Sequence, residues 1–269
     1  IKSIYNRIIK EDPEYLEHII TPEEAEEMIY DSSLLVLVDN HKPSFTEAPQ
    51  LLNLTDKIVV IDHHRRGAEF IKDPVLTYLE PYASSTCELV TEVLYYMQDK
   101  LKLKKHEADA LLAGITVDTK NFTFKTGVRT FEAASILKRA GADTFSVRQL
   151  FRDEHSVFIQ KAEVIRNSKV IFDKIAIGRL NIDDENSLLI AAQSANELLN
   201  ILGIEASFVL TPSGDKIHIS GRSLGNISVQ LILERLGGGG HLTSAGAQIE
   251  GKTIDEAEEI LKEAIEEYL

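Results

Sequence analysis

The chain has 269 residues, and its 43% hydrophobic and 27% charged residues are typical of a folded globular protein rather than a disordered one. At roughly 150 residues per domain, this length predicts two modest domains. The 29 basic residues stand against 43 acidic ones, and the net charge of −14 argues against broad binding of duplex nucleic acid, which needs clustered cations. The one cysteine, Cys87, excludes an internal disulfide scaffold or a cysteine-based zinc site and fits a reducing compartment. No apolar run approaches the ~20 residues of a membrane span, and no signal peptide is visible.

The first half of the chain alternates short apolar runs with amphipathic helical patterns. The apolar runs, which predict buried parallel strands, cover residues 33–39, 57–62 and 75–80. The helical patterns cover residues 22–29, 86–98 and 105–117. Thr21 and Glu24 predict a capping box at the start of the first pattern. Strands that alternate with helices predict an α/β domain with a mostly parallel sheet.

After about residue 150 the pattern changes to hairpins and longer helices. Residues 145–167 predict one or two helices that connect the halves. Predicted hairpins lie at 169–180 and 206–220, the second turning at Pro212-Ser213-Gly214-Asp215, and predicted helices lie at 187–202, 228–236 and 254–268. We therefore predict an α/β domain over residues 1–150, a helical connector over 151–168 and a smaller α+β domain over 169–269.

Polar side chains that could carry chemistry follow the predicted strands. Asp62, His63 and His64 come directly after the second strand, and Asp39 ends the first. Ligands of open α/β sheets bind beyond the carboxyl ends of the strands. Carboxylate and imidazole donors suit Mn²⁺, Fe²⁺ or Zn²⁺. The alternative is that Asp62 caps a turn and that the histidines are solvated.

Asp118 ends an apolar helix, where the macrodipole opposes a negative charge and a cation would compensate it. The alternative is an exposed aspartate paired with Lys120. His41, two residues past Asp39, could reach the same cleft.

Three further segments are candidates for binding an anion. The Gly237-Gly238-Gly239-Gly240-His241 run could form a nest of backbone N–H groups, or could be a flexible linker. Arg222 and Ser223 follow a predicted strand and suit a phosphate, or a surface salt bridge. Ser84 and Ser85 open a helix, where an N-cap is the first interpretation and an anion contact the second.

Taken together, Asp39, Asp62-His63-His64, Asp118 and the distant Gly-Gly-Gly-Gly-His run resemble the motif order of the DHH phosphoesterase family with its DHH-associated (DHHA) domain. The stretches 60–67, 80–86, 116–122 and 126–133 look like the catalytic region of bacterial membrane-anchored cyclic di-AMP phosphodiesterases. The resemblance implies a parallel-sheet DHH domain, a smaller α+β DHHA domain and an active-site cleft between them. It also implies a cytoplasmic catalytic region whose parent protein is anchored in the membrane by upstream segments.

The resemblance assigns roles residue by residue. Asp39, His63 and Asp118 match metal ligands, with Asp39 bridging two Mn²⁺ ions. Asp62, His63 and His64 form the catalytic motif, in which Asp62 orients the metal site and His64 contacts the substrate phosphate. The implied substrate-binding residues are His64, Ser84, Ser85, Arg222, Ser223, Gly238, Gly239, Gly240 and His241.

One family motif, His-x-x-x-Asp-x-Asp on the first strand, does not occur in this sequence. Because the sequence begins at Ile1, we expect the motif and its strand to be missing from an amino-terminally incomplete first domain. The resemblance implies hydrolysis of cyclic di-AMP to 5′-pApA by in-line attack of a hydroxide that bridges the two metal ions. The alternatives are an oligoribonuclease or 3′-phosphoadenosine 5′-phosphate (pAp) phosphatase of the same family, or a nucleotide-binding fragment without catalytic competence. The expected ligand is a small cyclic dinucleotide or pApA. We expect this region to bind no duplex nucleic acid and to make no membrane contact, and the sequence leaves open whether the chain forms a homodimer.

Overall fold

The apolar runs of the first half form a parallel sheet. In the computed structural model, which describes residues 2–97 and 102–269, strands β1 (Leu35–Val38), β2 (Ile58–Asp62) and β3 (Leu76–Leu79) pair in the order β1-β2-β3. Val38 lies opposite Ile61, and Asp62 lies opposite Leu79. Since all three strands are parallel, their carboxyl ends meet at one edge of the sheet, and the residues that follow each strand lie beside one another there.

Helices complete the first compact unit, Ile1–Arg152, in which α3 packs against β2. They are α1 (Lys2–Glu11), α2 (Pro22–Met28), α3 (Thr86–Met97), α4 (Lys105–Asp118), α5 (Val128–Arg139) and α6 (Thr144–Gln149). The capping box at Thr21 is confirmed, since Thr21 and Glu24 exchange backbone-to-side-chain hydrogen bonds. Residue 98, predicted to end α3, lies outside the described residues. Leu112, Ile115 and Leu137 form much of the core beneath α4 and α5.

The second compact unit, Asp153–Leu269, is built on a mixed sheet. Its strands are β4 (Lys169–Ile171), β5 (Ile175–Arg179), β6 (Ala206–Ser213), β7 (Lys216–Ser223), β8 (Gly239–His241) and β9 (Ser244–Glu250), ordered β4-β5-β6-β7-β9-β8. Its helices are α7 (His155–Arg166), α8 (Ser187–Leu198), α9 (Val229–Glu234) and α10 (Ile254–Glu266). Phe208 and Leu210 pack on one face and Val209 on the other, as the alternation of a strand requires. The predicted combination of an α/β domain and an α+β domain is confirmed.

The structure corrects three local predictions in the second unit. The second hairpin is longer than predicted: Pro212 and Ser213 belong to β6, and the turn is Gly214-Asp215 with Gly214 at a φ of 61°. Pro212 is tolerated in β6 because the pairing of β6 with β5 ends at Leu210. At Pro212 no strand on that side would accept a hydrogen bond from the N–H group that proline lacks. The glycine run is not a free loop, because part of it is strand β8. Finally, the sequence analysis missed β9, to which β8 and β7 both pair.

No helix in the described part of the chain is both long enough and apolar enough to cross a membrane.

Candidate metal centre

Two strand tips and one helix end bring the predicted metal ligands together. Asp39 follows β1 and is held in the left-handed region at a φ of 62°, while its N–H donates to the carbonyl of Ile61 on β2. His63 and His64 follow β2 directly, and Asp118 is the last residue of α4. Asp39 therefore turns out of the sheet at the point where the second strand ends.

The imidazole of His63 faces two carboxylates across a gap. Its Nε2 lies 3.6 Å from Oδ1 of Asp39 and 3.9 Å from Oδ2 of Asp118. Both distances are too long for a direct hydrogen bond. His64 joins the group, with Nδ1 4.0 Å from Oδ1 of Asp39. The side chain of His63 is only 10% exposed, and its Nδ1 has no hydrogen-bond partner in the described part of the chain.

This arrangement fits a divalent metal ion. Ligand atoms of Asp39, His63 and His64 all lie within 4.8 Å of one another, and Asp118 faces the same imidazole. Mixed oxygen and imidazole nitrogen donors suit first-row ions such as Mn²⁺, Fe²⁺ or Zn²⁺. A buried imidazole whose Nε2 points at two carboxylates without touching either is explained when a cation lies between them.

Asp62 has a different position from the other carboxylates, because it is completely buried. One of its oxygens lies 2.5 Å from Nδ1 of His41, and the other lies 2.7 Å from Nδ1 of His64 and also accepts from the His64 N–H. Burial by itself raises the pKa of the Asp62 carboxyl, but the hydrogen bonds from the two histidines outweigh it and hold that pKa below its usual value. Asp62 is therefore a fixed anion that orients two imidazoles.

Asp118 shows the opposite electrostatic balance. Burial is the largest influence and raises the pKa of its carboxyl; the charge of His63 opposes this, and that of Asp39 adds to it. The carboxylate also lies at the negative end of the α4 dipole. Two acidic groups that disfavour each other's charge around one imidazole form a site that a cation would stabilise.

The hydroxyls of Ser84, Ser85 and Thr86 are all engaged. Ser84 Oγ donates to the buried carboxylate of Glu88, and Ser85 Oγ accepts from the Glu88 N–H as a helix N-cap. Thr86 Oγ1 donates to Oδ1 of Asp39 at 2.8 Å. The predicted substrate contacts of the two serines stay predictions. The sequence analysis missed the contact of Thr86 with Asp39, although a hydroxyl after the third parallel strand was the available signal.

The remaining predicted substrate contacts lie in the second unit. Arg222 and Ser223 are neighbours on β7, so their side chains point to opposite faces of the sheet, which the sequence analysis did not foresee. Ser223 Oγ is buried and accepts from the Gly225 N–H. Arg222 is half-buried, and its guanidinium donates to the carbonyl of Gly221. Burial lowers the pKa of that guanidinium.

The glycine run lies against β9 at backbone distance. A Cβ added at Gly238 would lie 2.2 Å from the carbonyl oxygen of Gly246, and Gly240 has a φ of 150°. These two positions therefore require glycine for packing. Gly237, Gly238 and Gly239 line a cavity of about 600 Å³ together with His218, while His241 is exposed. The predicted cleft between the domains and the substrate contacts of this run stay predictions.

Comparison with known proteins gives a family for each half of the chain. The model described as "DHH family, N-terminal domain" matches residues 3–115, and the model described as "DHHA1 domain" matches residues 167–268. The cyclic-di-AMP phosphodiesterase PdeA of Listeria monocytogenes is 48% identical over 269 residues, covering 100% of this chain and 41% of its own length. The cyclic-di-AMP phosphodiesterase GdpP of Geobacillus thermodenitrificans is 50% identical over 250 residues, covering 93% and 38%. The chain thus spans about two fifths of the length of these curated relatives.

Among solved structures, an exopolyphosphatase-related protein from Bacteroides fragilis has a TM-score of 0.77 at 23% identity, over 91% of this chain and 74% of its own. This likeness concerns the fold. The two family models follow one another along the chain in the order that the motifs predict, with the Asp62-His63-His64 motif inside the first. The chain contains a DHH-family amino-terminal domain followed by a DHHA1 domain.

Proposed function

We propose that this chain is the catalytic region of a metal-dependent phosphodiesterase that hydrolyses cyclic di-AMP to 5′-pApA. The observation that carries the proposal is the convergence of Asp39, His63 and Asp118 around one gap at the edge of the parallel sheet. The substrate is supported by two relatives, named as cyclic-di-AMP phosphodiesterases, which match 93% or more of this chain at 48–50% identity.

Asp39, His63 and Asp118 would hold the metal, which we propose to be Mn²⁺, with Asp39 placed to be shared by a second ion. When bound, a divalent ion would polarise the phosphate and lower the pKa of water, so that a hydroxide nucleophile would be available at neutral pH. Thr86 donates to Oδ1 of Asp39, so its hydroxyl holds the carboxylate in one orientation. The Asp39 side chain is nevertheless 60% exposed, so the proposed metal site to which it belongs is open to an incoming phosphate.

His64 is the side chain that we propose to contact the reacting phosphate. Its Nδ1 is bound to the buried Asp62, so the Nε2 edge of the ring is left for the substrate. The ring is 56% exposed and lies beside Asp39. Asp62, held in turn by His41, fixes both the position and the orientation of the ring. This is the positioning that a phosphoryl-transfer site needs, because most of its rate enhancement comes from orientation and electrostatics.

In the DHHA1 domain we propose that Arg222 and the glycine run bind part of the nucleotide. The Arg222 guanidinium is half-buried and contacts a backbone carbonyl rather than a carboxylate. A guanidinium in that state is suited to a phosphate oxygen. Strand β9 lies between β7 and β8: its Ser244 pairs with Arg222, and its Gly246 pairs with Gly239. The exposed backbone of the glycine run therefore lies in the same sheet as Arg222, with one strand between them.

The test is hydrolysis of cyclic di-AMP by the purified chain with Mn²⁺, followed by separation of the nucleotides. Asp62→Ala and His63→Ala should each lower the rate by about 100-fold or more, because His63→Ala removes a metal ligand and Asp62→Ala removes the anion that fixes His64. His155→Ala, an exposed histidine at the start of α7, should keep the wild-type rate. Full activity in either site variant would refute the proposal.

Parallel assays separate the alternatives. A faster rate on pApA or pAp than on cyclic di-AMP would favour the oligoribonuclease or pAp phosphatase. Calorimetric binding of cyclic di-AMP without any turnover in Mn²⁺ would favour a nucleotide-binding region that lacks catalytic competence.

A further inference from the structure

A basic cavity lies beside the metal centre in the DHH domain. It has a volume of about 740 Å³, and its walls include the cationic side chains of Arg65, Arg66 and Lys125 and the ring of Tyr82. None of the described residues that line it carries a carboxylate. In a chain whose net charge is −14, three cations around one cavity are an unusual concentration of positive charge.

The cavity and the metal centre are built on the same chain segments. Arg65 and Arg66 directly follow His64, and Tyr82 follows the end of β3 at the same edge of the sheet. Lys125 lies in the turn that follows Asp118. It lies seven residues after Asp118, in the segment that joins α4 to α5.

The cationic groups of this cavity are available to a ligand. No carboxylate within the described ranges forms an ion pair with Arg65, Arg66 or Lys125. The Arg66 guanidinium lies over the ring of Phe70, 3.7 Å from its centroid, and stacking of this kind leaves the N–H edges of the guanidinium free. Planar guanidinium groups with free edges match phosphate oxygens in pairs.

Tyr82 adds an aromatic surface to the cavity. Its side chain is 93% exposed, so it makes no contribution to the core that would explain a large ring at this position. Nucleobases stack on exposed aromatic rings with about 1–3 kcal/mol of favourable energy per base. The volume of the cavity falls within the roughly 300–1,000 Å³ of small-molecule sites. Phosphate donors and a stacking surface together fit a nucleotide.

We propose that this cavity binds the second phosphate of the dinucleotide, the one that is not being cleaved, with Tyr82 against the adjoining base. This inference rests on the proposed function, since it concerns the substrate of the same site. It assigns Arg65, Arg66 and Lys125 to substrate affinity and leaves the bond cleavage to the metal centre.

The first experiment is steady-state kinetics with cyclic di-AMP and Mn²⁺. Arg65→Ala and Lys125→Ala should each raise KM about tenfold and leave kcat within about twofold of wild type, because a contact equally strong in the ground and transition states affects KM alone. Tyr82→Ala should also raise KM, and Tyr82→Phe should restore the wild-type value. Lys138→Ala is the matched control, because Lys138 is an exposed lysine in the last turn of α5, while the cavity lies before the first turn of that helix. The KM of this variant should equal that of wild type.

The second experiment is calorimetric titration of cyclic di-AMP into the protein in EDTA, which removes metal from the measurement. The Arg65→Ala and Lys125→Ala variants should bind about tenfold more weakly than wild type and the Lys138→Ala control. Weaker binding in these variants, combined with no turnover by wild type in Mn²⁺, would support the cavity and refute the phosphodiesterase. Normal turnover with unchanged KM and Kd in the variants, or no binding by wild type, would overturn the cavity proposal.

Discussion

Replacement of one buried carboxylate in the DHHA1 domain provides a sharp test of the electrostatics of that domain. Glu258 on α10 is only 1% exposed and forms ion pairs with Arg179, with Lys262 at 2.8 Å and with Lys169 at 3.4 Å. Burial raises the pKa of its carboxyl, but the hydrogen bonds from Arg179 and Lys262 outweigh it and lower that pKa from 4.5 to about 2. The ionised form is therefore strongly favoured in the native state.

The lowered pKa converts into a pH-dependent stability. A difference of about 2.5 between the unfolded and native pKa corresponds to about 3 kcal/mol of unfolding free energy. Because the native pKa of Glu258 is depressed, this contribution is fully present above the unfolded value of 4.5 and is lost as the pH falls from 4.5 toward 2. At pH 3 about 2 kcal/mol of it should already be gone.

Urea unfolding followed by circular dichroism measures this contribution. Glu258→Gln should lose about 3 kcal/mol of unfolding free energy at pH 7 and only about 1 kcal/mol at pH 3. The transition of this domain is identified as the one that Phe208→Ala, in its core, also shifts. Glu259→Gln, the exposed neighbour that also pairs with Lys262, should change stability by less than about 0.5 kcal/mol at either pH. An equal loss at both pH values for Glu258→Gln would show that packing rather than charge is responsible and would refute the reasoning.

Three further predictions concern the metal centre, the glycine run and the cysteine. Thr86→Val removes the hydroxyl that donates to Asp39 and should weaken Mn²⁺ binding, measured by calorimetry, by about tenfold. Its circular dichroism spectrum should be unchanged. An unchanged Mn²⁺ affinity would contradict the positioning role of Thr86. Gly238→Ala places a Cβ 2.2 Å from a carbonyl oxygen of β9 and should lower the free energy of unfolding in urea by about 2 kcal/mol or more. Gly239→Ala meets open space and should lower it by less than about 1 kcal/mol. Equal losses for the two variants would contradict the close packing of Gly238. The Cys87 thiol, whose pKa burial raises to about 12, should resist a thiol reagent at pH 8 until the protein is unfolded, and fast labelling of the native chain would show that it is accessible.

The strand tips could be predicted because the rule behind them is local. Each apolar run of the first half was recognisable from six or seven consecutive residues, and parallel pairing places all the carboxyl ends at one edge. Asp39, Asp62 and His63 were therefore expected to be neighbours before any distance was known. The strand β9 was not predicted, because Ser244, Ala245 and Gly246 lack the β-branched and aromatic residues that mark a strand. That strand forms because β7 and β8 pair with it, which is a tertiary effect.

The sequence alone determined the type of chemistry: carboxylates and imidazoles after parallel strands indicate a metal site, and the motif order indicates the family. Only the tertiary structure decided which carboxylate is available to a metal ion and which one orients the histidines. Asp62 ends β2 and Asp39 directly follows β1, yet Asp62 is buried between His41 and His64, while Asp39 is exposed and held by Thr86. Likewise, Arg65, Arg66 and Lys125 surround one cavity although about 60 residues separate the arginines from the lysine. The physical reason is that burial, charge balance and metal coordination depend on distances in space, which residues far apart in the chain establish only when the sheet and its helices pack.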